Sequence, residues 1–163
     1  MAKNKEEKTN VMRVLEQKKI AYTAHTYPHE EGVAVDGVTV AQSMGFDPAA
    51  VFKTLVARGA SKQYYVFDVP VAENLDLKKA AKAVGEKSIE MLHQKELLPL
   101  TGYVHGGCSP VGMKKLFPTV IDASAENLET MIVSAGKIGY QVELAPRDLA
   151  ALVRAKFADI IVE

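Results

Sequence analysis

The sequence predicts an α+β fold, and three observations carry that prediction. Stretches of β-branched, aromatic and aliphatic residues recur along the chain, at 21–27, 51–57, 64–69, 119–122, 130–134 and 140–144. Short amphipathic segments fall between some of them, but without the regular strand–helix alternation of a doubly wound sheet. The most strand-like stretch, Val51-Phe52-Lys53-Thr54-Leu55, is flanked by apolar residues and carries a lysine at its centre. A buried ammonium is costly unless it reaches water, a counter-charge or a cavity. Lys53 therefore either points outward over its own stem or lines a pocket for an anionic or carbonyl ligand. The strand alone leaves both readings open.

The elements follow in order. Thr9 or Asn10 caps a first helix in which Val11, Val14 and Leu15 recur at helical spacing beside Met12. Ala21 to Tyr27 reads as a strand closed by Pro28. An acidic, glycine-containing loop runs from Pro28 to Gly37, then Val38, Ala41 and Met44 give a short helix ended near Gly45. Asp47-Pro48 caps a brief helical turn ahead of the central strand. Arg58 to Gln63 reads as a turn, and Tyr64 to Val69 as an antiparallel partner. Asp76 caps a helix with Leu77, Ala80, Ala81 and Val84 on one face, stopped by Gly85. Its other face holds Lys78, Lys79 and Lys82. Ser88 to Met91 is strand-like, and His93 sits at a helix end or on the surface. From Leu97 to Phe117 the chain is punctuated by glycine, the mark of tight turns or close approach. Pro146 opens a final helix with Leu149, Leu152 and Val153 on one side, and Phe157 to Val162 closes the chain as an apolar segment.

At 163 residues the chain is expected to form one domain over 1–163, with residues 1–8 frayed. Its 20 basic and 20 acidic residues balance, so binding to a nucleic acid must come from a local patch rather than a global field. One cysteine excludes an intramolecular disulfide and suits a reducing cytoplasm. The charged start is not a signal peptide, and no run of about 18 apolar residues implies a membrane span. Neither membrane nor DNA is an expected partner.

Few residues suggest protein-supplied chemistry. Cys108 lies three residues after His105, but no third group completes a nucleophile, and lone cysteines are usually inert. His25 and His29 are four apart with Pro28 between them, which defeats a helical metal pair; no metal and no cofactor are expected. Gly106-Gly107 exposes amides suited to an anion or a polarised carbonyl, although any tight turn looks similar. Ser134-Ala135-Gly136-Lys137 is either a phosphate cradle or a hairpin. The lysines after Asp76, with Lys114-Lys115, form either a polynucleotide stripe or a solvated face.

Taken together, several motifs carry a resemblance. They are His25-Thr26-Tyr27-Pro28-His29, Val51 to Leu55, Leu75-Asp76-Leu77-Lys78-Lys79-Ala80-Ala81-Lys82-Ala83, Thr101 to Pro110 and Ile132 to Lys137. In this order they resemble the YbaK/EbsC aminoacyl-tRNA deacylases, relatives of the editing domain inserted in bacterial prolyl-tRNA synthetases. The likeness runs from about Val11 to Ile160 and is strongest to the branch that hydrolyses cysteinyl-tRNA(Pro). It implies a mixed, mostly antiparallel barrel-like sheet surrounded by helices, with a pocket beside the strand of Lys53.

The resemblance also implies roles. Lys53 inherits the essential pocket position, and Gly106 with Gly107 the loop that approaches the scissile ester. Tyr27, Thr54, Ser134, Gly136 and Lys137 match substrate-binding positions. Two departures stand out: Ala135 replaces a glycine, which would be strained in a left-handed backbone, and Gln141 replaces a frequent aspartate. The implied function is trans-editing of cysteinyl-tRNA(Pro), the cysteine thiol attacking its own ester, with prolyl-tRNA synthetase presenting the tRNA. The alternatives are a water-dependent deacylase of alanyl-tRNA(Pro) or another small aminoacyl-tRNA, and a tRNA-binding module without catalysis.

Overall fold

Two sheets meet at the strand that carries Lys53. The computed structural model describes residues 8–30 and 32–163; the expected fraying of the N-terminus falls, apart from Lys8, outside them. A three-stranded antiparallel sheet has the order β1 (Thr23–Thr26), β7 (Tyr140–Leu144), β6 (Met131–Ser134). A five-stranded sheet has the order β4 (Ile89–Met91), β2 (Phe52–Gly59), β3 (Tyr64–Pro70), β5 (Thr119–Asp122), β8 (Lys156–Ala158). Its β4, β2 and β3 pair antiparallel, whereas β3–β5 and β5–β8 are parallel. The fold is therefore the mixed α+β type. Among the described residues a single parallel bridge, Val51 to Ile132, joins the two sheets, so they abut without closing into a barrel.

Alternation along the strands distributes the core. Phe52 and Val56 of β2 and Val66 of β3 face a large cluster shared with Met131, Val133, Val142 and Leu144 of the small sheet. Helix α1 (Asn10–Gln17) contributes Val11, Met12 and Leu15, and α5 (Pro146–Val153) contributes Leu149 and Val153. On the opposite face of the large sheet, Tyr65, Phe67 and Val69 pack with Ala80 and Ala81 of α3 (Leu77–Val84). The apolar spacing read in the sequence matches these buried faces in part: Ala80 and Ala81 of α3 are buried, but Leu77 at its start is exposed, and each short helix is held by packing rather than by its own propensity.

Capping follows local chemistry. The Asp76 carboxylate accepts from the Lys78 and Lys79 amides, and α3 ends at Gly85 with φ +75°. α2 (Gly37–Met44) begins at Asp36, whose carboxylate accepts from the Thr39 amide, and ends at Gly45. Asp47 caps the short 3-10 turn Pro48–Ala50.

Two segments differ from expectation. β2 continues through Arg58 to Gly59 rather than turning at Arg58, because β4 pairs with Ala57, Arg58 and Gly59 along its outer edge. α4 (Gln94–Thr101) occupies part of the stretch expected as glycine-rich loop. Pro99 lies inside it and removes one amide from the helical ladder, which masks the helix in the sequence. Gly102 closes α4 by donating its amide to Leu98, and the Thr101 hydroxyl donates to Leu97.

Asp76→Ala should cost about 1 kcal/mol of stability, the usual value of a lost helix cap. Urea unfolding followed by far-UV circular dichroism checks this, and an unchanged midpoint would contradict the capping role.

Candidate active site

A cleft of about 490 Å³ opens where β2 parts from β6. Its walls come from β2 (Phe52, Lys53, Thr54), from the 34–37 segment entering α2, and from Ser134 and Gln141 of the small sheet. Tyr27, His105, Gly106 and Cys108 complete it. Lys53 is thus a cleft residue, which decides between the two readings of its strand.

Lys53 is half-buried and makes no hydrogen bond or ion pair among the described residues. Burial holds its ammonium below the ordinary lysine pKa, and the carboxylates of Asp36 and Glu73 partly offset that. A cation poised in this way, desolvated and without a contact partner, favours an anionic or carbonyl ligand.

The interior wall is polar in an unusual way. Asp68 of β3 is fully buried and sits opposite Thr54 in the β2–β3 register. The Thr54 hydroxyl donates to Asp68 Oδ1 at 2.6 Å, while Oδ2 has no partner among the described residues. Burial raises the Asp68 carboxyl to about 7, and the Thr54 hydrogen bond only partly counters it. Gln141, 5% exposed, likewise leaves Oε1 unpartnered at the cleft wall. Unsatisfied buried acceptors are costly; Gln141 borders the cleft, whereas Asp68 lies behind Thr54 and does not.

Cys108 provides no nucleophile. Burial, reinforced by Asp68, pushes its thiol up to about 12, so it stays protonated near neutrality. No group of three or more His, Cys, Asp and Glu residues that would hold a metal occurs among the described residues.

The site residues expected from the sequence divide into two sets. Lys53, Tyr27, Thr54, Ser134 and Gly106 share the cleft. Gly106 lies there with φ +91°, and a β-carbon on it would stand 2.8 Å from that of Ala34, so glycine is needed for this approach. Gly107 does not line the cleft: its amide donates to the Val104 carbonyl at 3.0 Å. A β-carbon there would press on the Lys137 and Ile138 backbone at about 3.0 Å. The expectation that both glycine amides face the ester is thereby corrected, since Gly107 is spent on its own turn and on packing. Gly136 and Lys137 line two neighbouring hollows outside the cleft. Ala135 is unstrained because the positive φ of this turn, +98°, falls on Gly136. Asp36 and Asp68 were not singled out from the sequence. Asp36 hid in an acidic loop, and a lone aspartate in Tyr64 to Val69 was the available signal for Asp68.

Residues 32–152 match the model of the aminoacyl-tRNA editing domain. The chain belongs to that family. It is 46% identical over 161 residues, spanning 98% of both chains, to an Enterococcus faecalis protein named "Putative Cys-tRNA(Pro)/Cys-tRNA(Cys) deacylase EbsC". A solved structure described as "a putative trans-editing enzyme for prolyl tRNA synthetase" superposes with a TM-score of 0.79 at 26% identity, covering 94% of this chain and 95% of the other. A second, described as hypothetical protein APE2540, has a TM-score of 0.82 at 20% identity, over 93% and 99% of the two chains; it speaks to the fold alone. No helix among the described residues is long and apolar enough to cross a membrane.

Asp68 makes stability depend on pH. Its folded carboxyl titrates near 7 against an ordinary 3.8, so folding favours the protonated form. The penalty is absent below pH 4, grows through neutrality and is complete above the folded pKa; it amounts to about 4 kcal/mol at ~1.4 kcal/mol per pKa unit. Relative to wild type, Asp68→Asn should therefore gain Tm progressively from pH 4 to 7 and level off beyond about pH 8. Calorimetry at five pH values reads this, and a pH-independent gap would refute it.

Proposed function

We propose that the chain is a trans-editing deacylase that clears cysteine from mischarged tRNA(Pro). The observation that carries this reading is a cleft with a half-buried, unpartnered lysine and a cysteine whose thiol burial keeps protonated. Such a site binds and orients but brings no nucleophile of its own. Cysteinyl-tRNA supplies one: its side-chain thiol attacks its own ester carbonyl, the bond to the tRNA 3′ oxygen breaks, and a cyclic thioester leaves. Holding that conformer is a proximity effect, for which effective molarities reach about 10⁵–10⁸ M.

The residues divide the work. Lys53 holds the anionic or ribose end of the substrate, and Gly106 brings backbone close to the carbonyl. Tyr27, Ser134 and Gln141 bound the amino-acid end, where the open acceptor of Gln141 suits the α-ammonium group. Gly136 and Lys137, in hollows beside the cleft, are placed for the nucleotides that lead into it. A pocket alone separates small side chains by only ~10–200-fold per methylene, so a reaction that needs the substrate's thiol is the sharper filter. The E. faecalis relative is named for cysteine on both tRNA(Pro) and tRNA(Cys), in keeping with recognition of the amino acid. With 20 basic and 20 acidic residues the chain lacks a global attraction to tRNA, and prolyl-tRNA synthetase is the partner that supplies tRNA selectivity.

Hydrolysis of cysteinyl-tRNA(Pro) and alanyl-tRNA(Pro) by wild type and Lys53→Ala tests the chemistry. Cysteine should be cleared, alanine spared, and the variant slowed by at least about 100-fold, as for loss of a charge-stabilising group. Clearance of alanine in preference to cysteine would require attack by water instead. Addition of prolyl-tRNA synthetase should favour cysteinyl-tRNA(Pro) over cysteinyl-tRNA(Cys); equal rates on both in its presence would remove the synthetase from the account.

A further inference from the structure

Asp68 is a fully buried carboxyl next to the cleft that the reaction above leaves unused. It lies in the interior wall, on the same face of the large sheet as Val66 and away from Phe67. Its register neighbours are Thr54 on β2 and Ile121 on β5, and the Cys108 thiol is the titratable group that faces it from the 101–117 segment. No lysine, arginine or histidine offsets its charge among the described residues. Lys53 belongs to the opposite face of β2, where Asp36 and Glu73 act on it. Among the described residues the one hydrogen bond to Asp68 comes from Thr54, and Thr54 also lines the cleft.

We propose that Asp68 is a positioning residue that works through Thr54 to accept the proton of the substrate's thiol. This rests on the reading of the chain as a cysteinyl-tRNA deacylase. With its own proton committed to Asp68 Oδ1 at 2.6 Å, the Thr54 hydroxyl presents only lone pairs to the cleft. It accepts from an S–H and does not compete as a donor.

The step balances. The thiol proton passes to Thr54 Oγ1 as the Thr54 proton passes to the Asp68 carboxylate. The sulfur lone pair forms the C–S bond while the carbonyl π pair moves to oxygen. Collapse re-forms the carbonyl and breaks the bond to the tRNA 3′ oxygen. That oxygen takes back a proton along the same path, which restores Thr54 and the carboxylate. Burial suits Asp68 to this task, because a carboxyl titrating near 7 is a far stronger base than an ordinary one yet remains half ionised at neutral pH. The buried site also keeps bulk water from intercepting the proton.

The test is single-turnover deacylation of cysteinyl-tRNA(Pro) from pH 5.5 to 9 by wild type, Asp68→Asn, Thr54→Val and Thr54→Ser, with thermal unfolding of each to establish that it is folded. Wild type should show a rate limb rising through about pH 7. Asp68→Asn and Thr54→Val should lose that limb and fall roughly 100-fold at pH 7, the scale of general base catalysis, with their residual rate following the thiol's own ionisation near ~8.5. Thr54→Ser, which keeps a hydroxyl, should retain the limb. A folded Asp68→Asn protein with the wild-type profile overturns the proposal, and so does a slower one whose limb stays near 7, since that is a structural role alone. Wild type inactive on cysteinyl-tRNA removes the deacylase reading itself, and this inference with it.

Discussion

The site depends on the antiparallel pairing of β2 with β3. Phe52 to Arg58 lie against Pro70 to Tyr64 in unbroken register, so Thr54 necessarily opposes Asp68 and Lys53 opposes Val69. A slip of one residue would exchange the faces of the strand, turning Lys53 toward the core that holds Val66 and sending Phe52, Thr54 and Val56 to the side of α3. The register is secured from both directions by Phe52 and Val56 in one core and Ala57 in the other. Apolar burial on two faces thus fixes where the two polar residues go.

The cleft exists because the two sheets touch without merging. Val51 bridges to Ile132, and beyond that point β2 leaves β6 so that side chains from both sheets border the same space. A closed barrel would have paired those edges and filled the interior with side chains. What remains open is bordered by Gln141 and, behind Thr54, backed by Asp68, and both hold an acceptor without a partner among the described residues. These groups lower stability in the empty protein, and a strain of this kind is kept where a ligand relieves it. The same trade appears at Gly106, where left-handed backbone lets the loop come against Ala34.

The chemistry is economical as a result. An editing enzyme must act on a small amino acid that differs little from the correct one, and apolar contacts alone separate such pairs weakly. Under the mechanism proposed above, the nucleophile comes from the substrate, which turns the distinguishing atom, sulfur, into the reacting atom. The protein is then responsible for orientation, charge and the path of one proton. Its own cysteine, forced by burial to remain a thiol, does not interfere.

Much of this was legible in the chain. Helix caps at Thr9, Asp47 and Asp76, the helix stops at Gly45 and Gly85, and the strands at Tyr64 and Tyr140 follow from interactions between near neighbours, which local sequence specifies. The lysine in an apolar strand marked a position that needed either water or a cleft, and an ordered set of motifs identified the editing family. Other features rest on contacts between distant segments. β2 runs on to Gly59 because β4 happens to lie beside it, and α4 forms in spite of Pro99. Gly106 and Gly107, adjacent in sequence, part company because only one reaches the cleft. Asp68 is the sharpest case. In sequence it is a single acidic residue in a strand, a pattern that ordinarily means an exposed edge. The tertiary structure alone puts that carboxyl in the core behind Thr54, because its burial comes from β5 and the Cys108 loop, neither of which is its neighbour in the chain.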